Sequence, residues 1–189
     1  MLDTILNFDK NLFFIINNGW TNPLSDILFA ALTLLGSDYV IIPLIALIFY
    51  FFDRKNFKRN FTLLISSLLI GGILVHILKE LVDRPRPLGG MEELIKEGKV
   101  SINVIFEPLL AASFPSGHSQ TIFTAATVLG YIYKRYIGIF FLIAFLSGVS
   151  RIYVGAHYPL DVLAGGIIGV IVSITMIFIF KRNGWVIYD

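Results

Sequence analysis

The sequence predicts an all-α, polytopic membrane protein: six membrane-crossing helices preceded by an amphipathic helix lying in the membrane interface. Three observations carry this. Of the 189 residues, 56% are hydrophobic and only 15% charged, whereas an ordinary soluble domain has about 25% charged residues. Residues 61–78, "FTLLISSLLIGGILVHIL", and 162–180, "VLAGGIIGVIVSITMIFIF", run for 18 and 19 positions without Asp, Glu, Lys or Arg. At about 1.5 Å per residue each run nearly crosses a hydrocarbon core about 30 Å thick. The basic residues also cluster at alternate helix ends, the pattern expected when cationic loops stay on the cytoplasmic side.

The elements follow in order. Residues 2–18, "LDTILNFDKNLFFIINN", place Asp3, Asn7, Lys10 and Asn11 on one helical stripe, with Leu6, Phe13 and Ile16 mostly on other faces. That is the pattern of a helix lying on the membrane, and Trp20 stands where an interfacial aromatic anchor would. Asp3, Asp9 and Lys10 replace the basic head of a signal peptide. Residues 21–52 contain "TNPLSDILFAALTLLGSD", a helix started by Pro23 and broken at Gly36-Ser37-Asp38, and then "YVIIPLIALIFYFF". Both are short for spans, and a single interrupted helix is the alternative to two. Counted as two, they join 58–82, 116–133, 136–153 and 159–181 to make six.

With six spans, "DRKNFKRN" (53–60), Lys134-Arg135 and Lys181-Arg182 share one side. The positive-inside rule makes that side cytoplasmic, together with both termini. A five-span chain keeps these clusters together but moves the N-terminus outside. No repeat or second domain is visible, so residues 1–189 are expected to form one membrane domain with an exterior loop at about 83–115. Glu92, Glu93, Lys96, Glu97 and Lys99 of that loop look solvated. Gly71-Gly72, Gly165-Gly166 and Gly169 are expected to let helices approach closely. The absence of cysteine excludes disulfides and thiolate metal sites, and nothing in the charge pattern calls for a nucleic-acid partner.

The exterior face should be poor in cations, yet Lys79, Arg84, Arg86 and Arg151 lie at its helix ends. Ionisable groups are costly in such places unless they serve a function. Two junctions hold them: the end of the third span with the start of the fourth, and the end of the fifth with the start of the sixth. The same junctions carry "PSGH" (115–118) and "HYPLD" (157–161). Gathered cations call for a dense anion, and phosphate fits because Arg matches its oxygens bidentately. Ser116 is a candidate N-cap, and Gly117 lets the backbone amides of a helix start come close to the anion. His157 can attack phosphorus through a neutral nitrogen if Asp161, four residues on, holds its other nitrogen. His118 can protonate the leaving oxygen and later deprotonate a water. Lys79, Arg86 and Arg151 would stabilise charge on the equatorial oxygens. This scheme needs no metal and no cofactor.

Three segments with fixed internal spacing, "KELVDRPRP" (79–87), "PSGH" (115–118) and "SRIYVGAHYPLD" (150–161), resemble the signature of the type-2 phosphatidic acid phosphatase superfamily, K-x6-R-P, P-S-G-H and S-R-x5-H-x3-D. The resemblance covers about half the chain. It implies a six-helix membrane core with the site facing the periplasm or exterior. It also implies His157 as nucleophile, Asp161 as its partner, His118 as acid/base, and Lys79, Arg86, Ser116, Gly117 and Arg151 as phosphate-holding residues. The implied substrates are lipid phosphates, including phosphatidic acid, phosphatidylglycerol phosphate, undecaprenyl diphosphate and lipid A 1-phosphate, and one of the last three, as a bacterial envelope lipid, is the substrate expected here. Arg84 falls outside the motif and is expected to touch a headgroup or water; His76 is expected to be a packed, hydrogen-bonded helix histidine. A membrane transporter of anions or phospholipids, without hydrolysis, is the competing class. Oligomeric state has no signature in the sequence.

Overall fold

The computed structural model describes residues 2–185, which contain helices and no β-strand. In chain order the helices are α1 (Leu2–Asn17), α2 (Pro23–Leu35), α3 (Asp38–Phe52), α4 (Phe57–Val82), α5 (Pro87–Gly90), α6 (Glu92–Lys96), α7 (Gly117–Ile132), α8 (Ile137–Tyr153) and α9 (Pro159–Arg182).

Helix α7 is the axis of the bundle, with α4, α8 and α9 packed around it. Every residue from Ser119 to Gly130 except Phe123 is buried. Glycines set these approaches. A Cβ at Gly165 or Gly169 of α9 would overlap the carbonyl oxygens of Ser116 and Gln120, and one at Gly71 of α4 would overlap the Gln120 side chain. Gly72 is different: no atom lies within 4 Å of where its Cβ would be, so it faces open space rather than a neighbouring helix. One half of the core is filled by Ile45, Phe49, Leu63, Leu64 and Val128. The other half, beneath α1, is filled by Phe13, Met91, Tyr153 and Tyr158.

The chain is a multi-pass membrane protein. Segments within Arg54–Lys96, Lys134–Tyr153 and Pro159–Arg182 are each long and apolar enough to cross a bilayer, and α2 with α3, bent by 66°, makes a fourth if the pair is one span. The count of six treats α2 and α3 as separate spans, and their contacts argue against that. Asp26 of α2 accepts a hydrogen bond from Tyr153 Oη (2.6 Å), and Thr33 accepts one from Arg151 Nη1 (2.6 Å). Both partners lie in the last turn of α8, so the two ends of α2 stay near one end of the bundle. Helix α3 then begins beside α7, where Asp38 accepts from Thr121 (2.9 Å), and runs down past the Ile45–Phe49 core. Helices α2 and α3 thus meet at a sharp break, as in a broken span or a re-entrant loop.

Helix α1 also departs from expectation. Asp3, Asn7, Lys10 and Asn11 are exposed and Phe13 and Ile16 buried, as the stripe predicts. The buried face, however, also carries Asp9 and Asn17. Asn17 Nδ2 donates to Tyr153 O (2.7 Å) and Asn103 O (2.8 Å), while Asp9 Oδ1 accepts from Leu160 N (2.8 Å). Buried polar groups must find partners; Tyr153 and Leu160 lie where α8 ends and α9 begins, and Asn103 in the stretch between α6 and α7. Helix α1 therefore sits at the same end as that junction and not at the end where α9 finishes, whereas the sequence reading put both termini at one end.

The 83–115 loop is only partly solvated. Glu92–Lys96 (2.6 Å) and Glu97–Lys99 (2.8 Å) are exposed ion pairs, as its mixed charge predicts. Its remainder folds inward: Met91 is buried, Asn103 N donates to Asn17 Oδ1 (2.9 Å), and Arg86 N donates to Leu110 O (2.9 Å).

Candidate active site

The site is built on two helix starts. Ser116 caps α7, its Oγ accepting from Ser119 N at 3.3 Å. Pro159 opens α9, and Asp161 in its first turn accepts from Tyr158 N through Oδ2 (2.9 Å), the half of a capping box that an acidic side chain at this position supplies. Ser116 N donates to Asp161 O (2.9 Å), so the two starts are tied together. A Cβ on Gly117 would meet only Val75, at 3.9 Å. The open space over these amides suits an anion at a helix N-terminus.

His157 lies in the turn between α8 and α9, buried, after Gly155, whose φ of +77° favours glycine. Its Nδ1 is 3.4 Å from Ser113 Oγ and 3.7 Å from Asp161 Oδ2; Ser113 Oγ itself donates to Asp161 Oδ2 at 2.5 Å. The 3.7 Å separation exceeds hydrogen-bond length, so Ser113 stands as the close partner and Asp161 as a charge just behind it. On the other side Nε2 is 3.4 Å from Arg86 Nη1. Burial pushes the imidazole down to about pH 4; Asp161 opposes this, and the charges of Arg86 and Arg151 add to it. The ring is therefore neutral at physiological pH.

The cations are held by the loop that folds inward. Arg86 donates from Nε to Ala111 O (2.8 Å) and from Nη1 to Ala156 O (3.0 Å), and Lys79 Nζ donates to Ala112 O. Arg151 is buried; one nitrogen is held by Thr33, and its buried Nε has no hydrogen-bond partner among the described residues. A cavity of about 70 Å³ lies against Arg151, bounded by Gly155, Ala156, Glu107 and Leu109. His118, half-buried in the first turn of α7, has Arg151, His157, Arg86 and Lys79 as its electrostatic neighbours. The structure thus brings Lys79, Arg86, Ser116, Gly117, His118, Arg151, His157 and Asp161 into one cluster. Among the described residues no group of three or more His, Asp or Glu side chains has metal-binding geometry.

Other placements depart from the sequence reading. Arg84 does not reach for a headgroup or water. Its side chain is 17% exposed, it pairs with Asp161 Oδ1 and Asp9 Oδ2, each at 2.6 Å, and its guanidinium lies 4.1 Å from the Tyr158 ring centroid. His76 is exposed rather than packed and lines a cleft with Asp38 and Gly72. Sequence reasoning missed Asp9, Thr33 and Ser113. Only Asp9 left a signal: it is the acid that falls off the polar stripe, on the face of Phe13 and Ile16.

Comparison with known proteins identifies the family and the fold. The family model described as PAP2 superfamily matches residues 60–185. The undecaprenyl-diphosphatase of Sulfolobus acidocaldarius is 32% identical over 87% of this chain and 74% of its own length. The lipid A 1-phosphatase of Rhizobium etli is 31% identical over 64% of this chain, and the chain spans about half the length of that relative. Among solved structures, LpxE of Aquifex aeolicus superposes with a TM-score of 0.73 at 38% identity, covering 89% of this chain and 93% of that one. A PAP2-type phosphatidylglycerolphosphate phosphatase of Bacillus subtilis, at 24% identity and a TM-score of 0.74 over 95% of this chain and 87% of that one, shares the fold. With three motif segments meeting in one anion-ready cluster on a fold shared with these proteins, the chain belongs to the PAP2 superfamily.

Proposed function

We propose that residues 1–189 act as one membrane phosphatase domain that removes the terminal phosphate of an envelope lipid, without a metal, through a phosphohistidine. The observation that carries this is the setting of His157: a neutral imidazole with Nδ1 toward Ser113 and Asp161 and Nε2 toward Arg86. Nδ1–H faces acceptors, which leaves the Nε2 lone pair for attack on phosphorus. Nε2 forms a bond to phosphorus as the lipid oxygen leaves, and that oxygen takes a proton from His118. His118 then takes a proton from water, whose oxygen attacks the phosphohistidine and releases inorganic phosphate and free His157. Arg86, Arg151 and Lys79 neutralise the equatorial oxygens, with the amides at Ser116 and Gly117 as further donors. The buried Arg151 Nε supplies an unused donor of the kind such an oxygen requires.

Lipid substrates fit because an open cleft of about 440 Å³ runs between α3, α4 and α7, lined by Ile42, Leu68, Leu69 and Ile73. Its His76 and Thr121 lie one helical turn from Lys79 and His118. A chain resting there would stay at the bilayer while its phosphate reaches His157. Lipid A 1-phosphate, phosphatidylglycerol phosphate and undecaprenyl diphosphate are the candidate substrates. We place the protein in the inner or plasma membrane with the site facing the periplasm or exterior and the three basic clusters cytoplasmic. Five crossings, with α2 and α3 as one and α1 at the site's end, satisfy both the loop charges and the contacts. A transporter is less well supported, since the charges gather at one end rather than near the midplane.

Detergent-purified protein is expected to release phosphate from at least one of these lipids in the presence of chelator. His157→Ala should lower the rate by about 10³-fold or more, as loss of a nucleophile does. Full activity in a folded His157→Ala variant would overturn the mechanism, and anion flux in proteoliposomes without phosphate release would favour the transporter.

A further inference from the structure

We propose that Asp9 of α1 and Arg84 of the α4–α5 connection are positioning residues for Asp161, and through it for His157. This rests on the reading of His157 as nucleophile. The two oxygens of Asp161 have separate work. Oδ2 receives Ser113 Oγ and Tyr158 N and faces His157, while Oδ1 receives Arg84 Nη1 at 2.6 Å. Rotation of the carboxylate would break both sets at once, so Arg84 fixes which oxygen the imidazole meets. Arg84 is fixed in turn by Asp9 Oδ2 (2.6 Å) and by the face of Tyr158 (4.1 Å).

Asp9 closes the circuit. Its Oδ1 accepts from Leu160 N, the residue before Asp161. One carboxylate of α1 therefore grips both the guanidinium that holds Asp161 and the backbone that carries it. The Asp9 and Asp161 side chains are fully buried and Arg84 is partly so. A single guanidinium stands between two carboxylates, so removing it leaves two buried anions facing each other, and one must take a proton or swing out. If Asp161 does so, Ser113 Oγ loses the carboxylate that aims it at Nδ1 of His157, and the imidazole loses the charge behind that contact. Asn at position 9 is also a poor substitute: Asp9 accepts on both oxygens, whereas the Asn amide would aim N–H at either Arg84 or Leu160 N.

The test uses the 189-residue chain in detergent with whichever of the three candidate lipids the wild type hydrolyses, in mixed micelles, comparing wild type, Asp9→Asn, Arg84→Gln, the double variant and His157→Ala. Thermal unfolding gives the folded fraction by which each rate is scaled. The expected result is a kcat lowered about 10- to 100-fold in each single variant, the range seen when partners orienting a ligating imidazole are lost. KM should stay within about threefold, because Lys79, Arg86 and Arg151 still hold the phosphate. The double variant should exceed Arg84→Gln alone in kcat, because removing the Asp9 charge leaves Asp161 without an opposing anion. Should Arg84→Gln fail to fold, Asp9→Asn decides the matter by its kcat per folded enzyme. Wild-type kcat per folded enzyme in the variants, with His157→Ala inactive, overturns the positioning role and leaves the phosphatase reading intact. Activity in His157→Ala overturns both.

Discussion

His157 carries the clearest consequence at the scale of a single residue. An exposed histidine titrates near 6.5; burial among Arg86 and Arg151 pushes this one down to about 4. Above pH 6.5 the ring is neutral in both folded and unfolded chains, and its burial costs nothing in charge. As pH falls below 6.5 the unfolded chain takes up the proton first, so stability is lost progressively until the folded ring also protonates near pH 4. The difference corresponds to about 3 kcal/mol. The melting temperature in detergent should therefore fall more steeply from pH 7 to pH 4.5 for wild type than for His157→Gln, which lacks the titrating group. Equal slopes would mean that the imidazole is not held neutral by burial. Tyr158, whose ring lies beneath Arg84, is pushed the other way, up to about 12 by burial, so it stays a neutral hydroxyl across this range.

At the scale of the elements, the approach of α9 to α7 sets where the phosphate cradle lies. Gly165 meets the carbonyl of Ser116, the cap of α7, with no room for a methyl group, and the contact is with backbone that cannot rotate away. Gly165→Ala should destabilise by about 1–3 kcal/mol, as overpacking does, and should lower activity beyond that by pushing Ser116 and Gly117 off the site. Gly72→Ala is the control. It faces open space, and Ala favours a helix over Gly by about 1 kcal/mol, so its melting temperature should match or exceed wild type. Thermal unfolding of the two variants in one detergent checks the contrast. The glycine pattern in the sequence pointed to both positions alike; only the neighbours distinguish a packing glycine from one lining a cleft.

At the scale of the whole molecule, the position of α1 has a direct consequence for sidedness. The chain has no cysteine, so single cysteines can report on it cleanly. Lys10→Cys, on the exposed face of α1, should react with an impermeant maleimide from the same side as the active site, whereas Arg182→Cys, exposed at the end of α9, should react only after permeabilisation. Labelling of both from one side would refute the arrangement. Run lengths and loop charges are properties of composition along the chain, and from them the sequence by itself determined a helical membrane protein with its basic clusters on one side. The spacing within "KELVDRPRP", "PSGH" and "SRIYVGAHYPLD" likewise singled out the eight candidate site residues, because each segment places its polar groups within a few turns of one another. Tertiary structure alone decided the sharp break between α2 and α3, the place of α1 beside the α8–α9 junction, and the gathering of Asp9, Arg84 and Ser113 behind His157. These depend on partners 44 to 77 residues apart or more, and a buried charge finds its partner through packing in three dimensions, which no local spacing records.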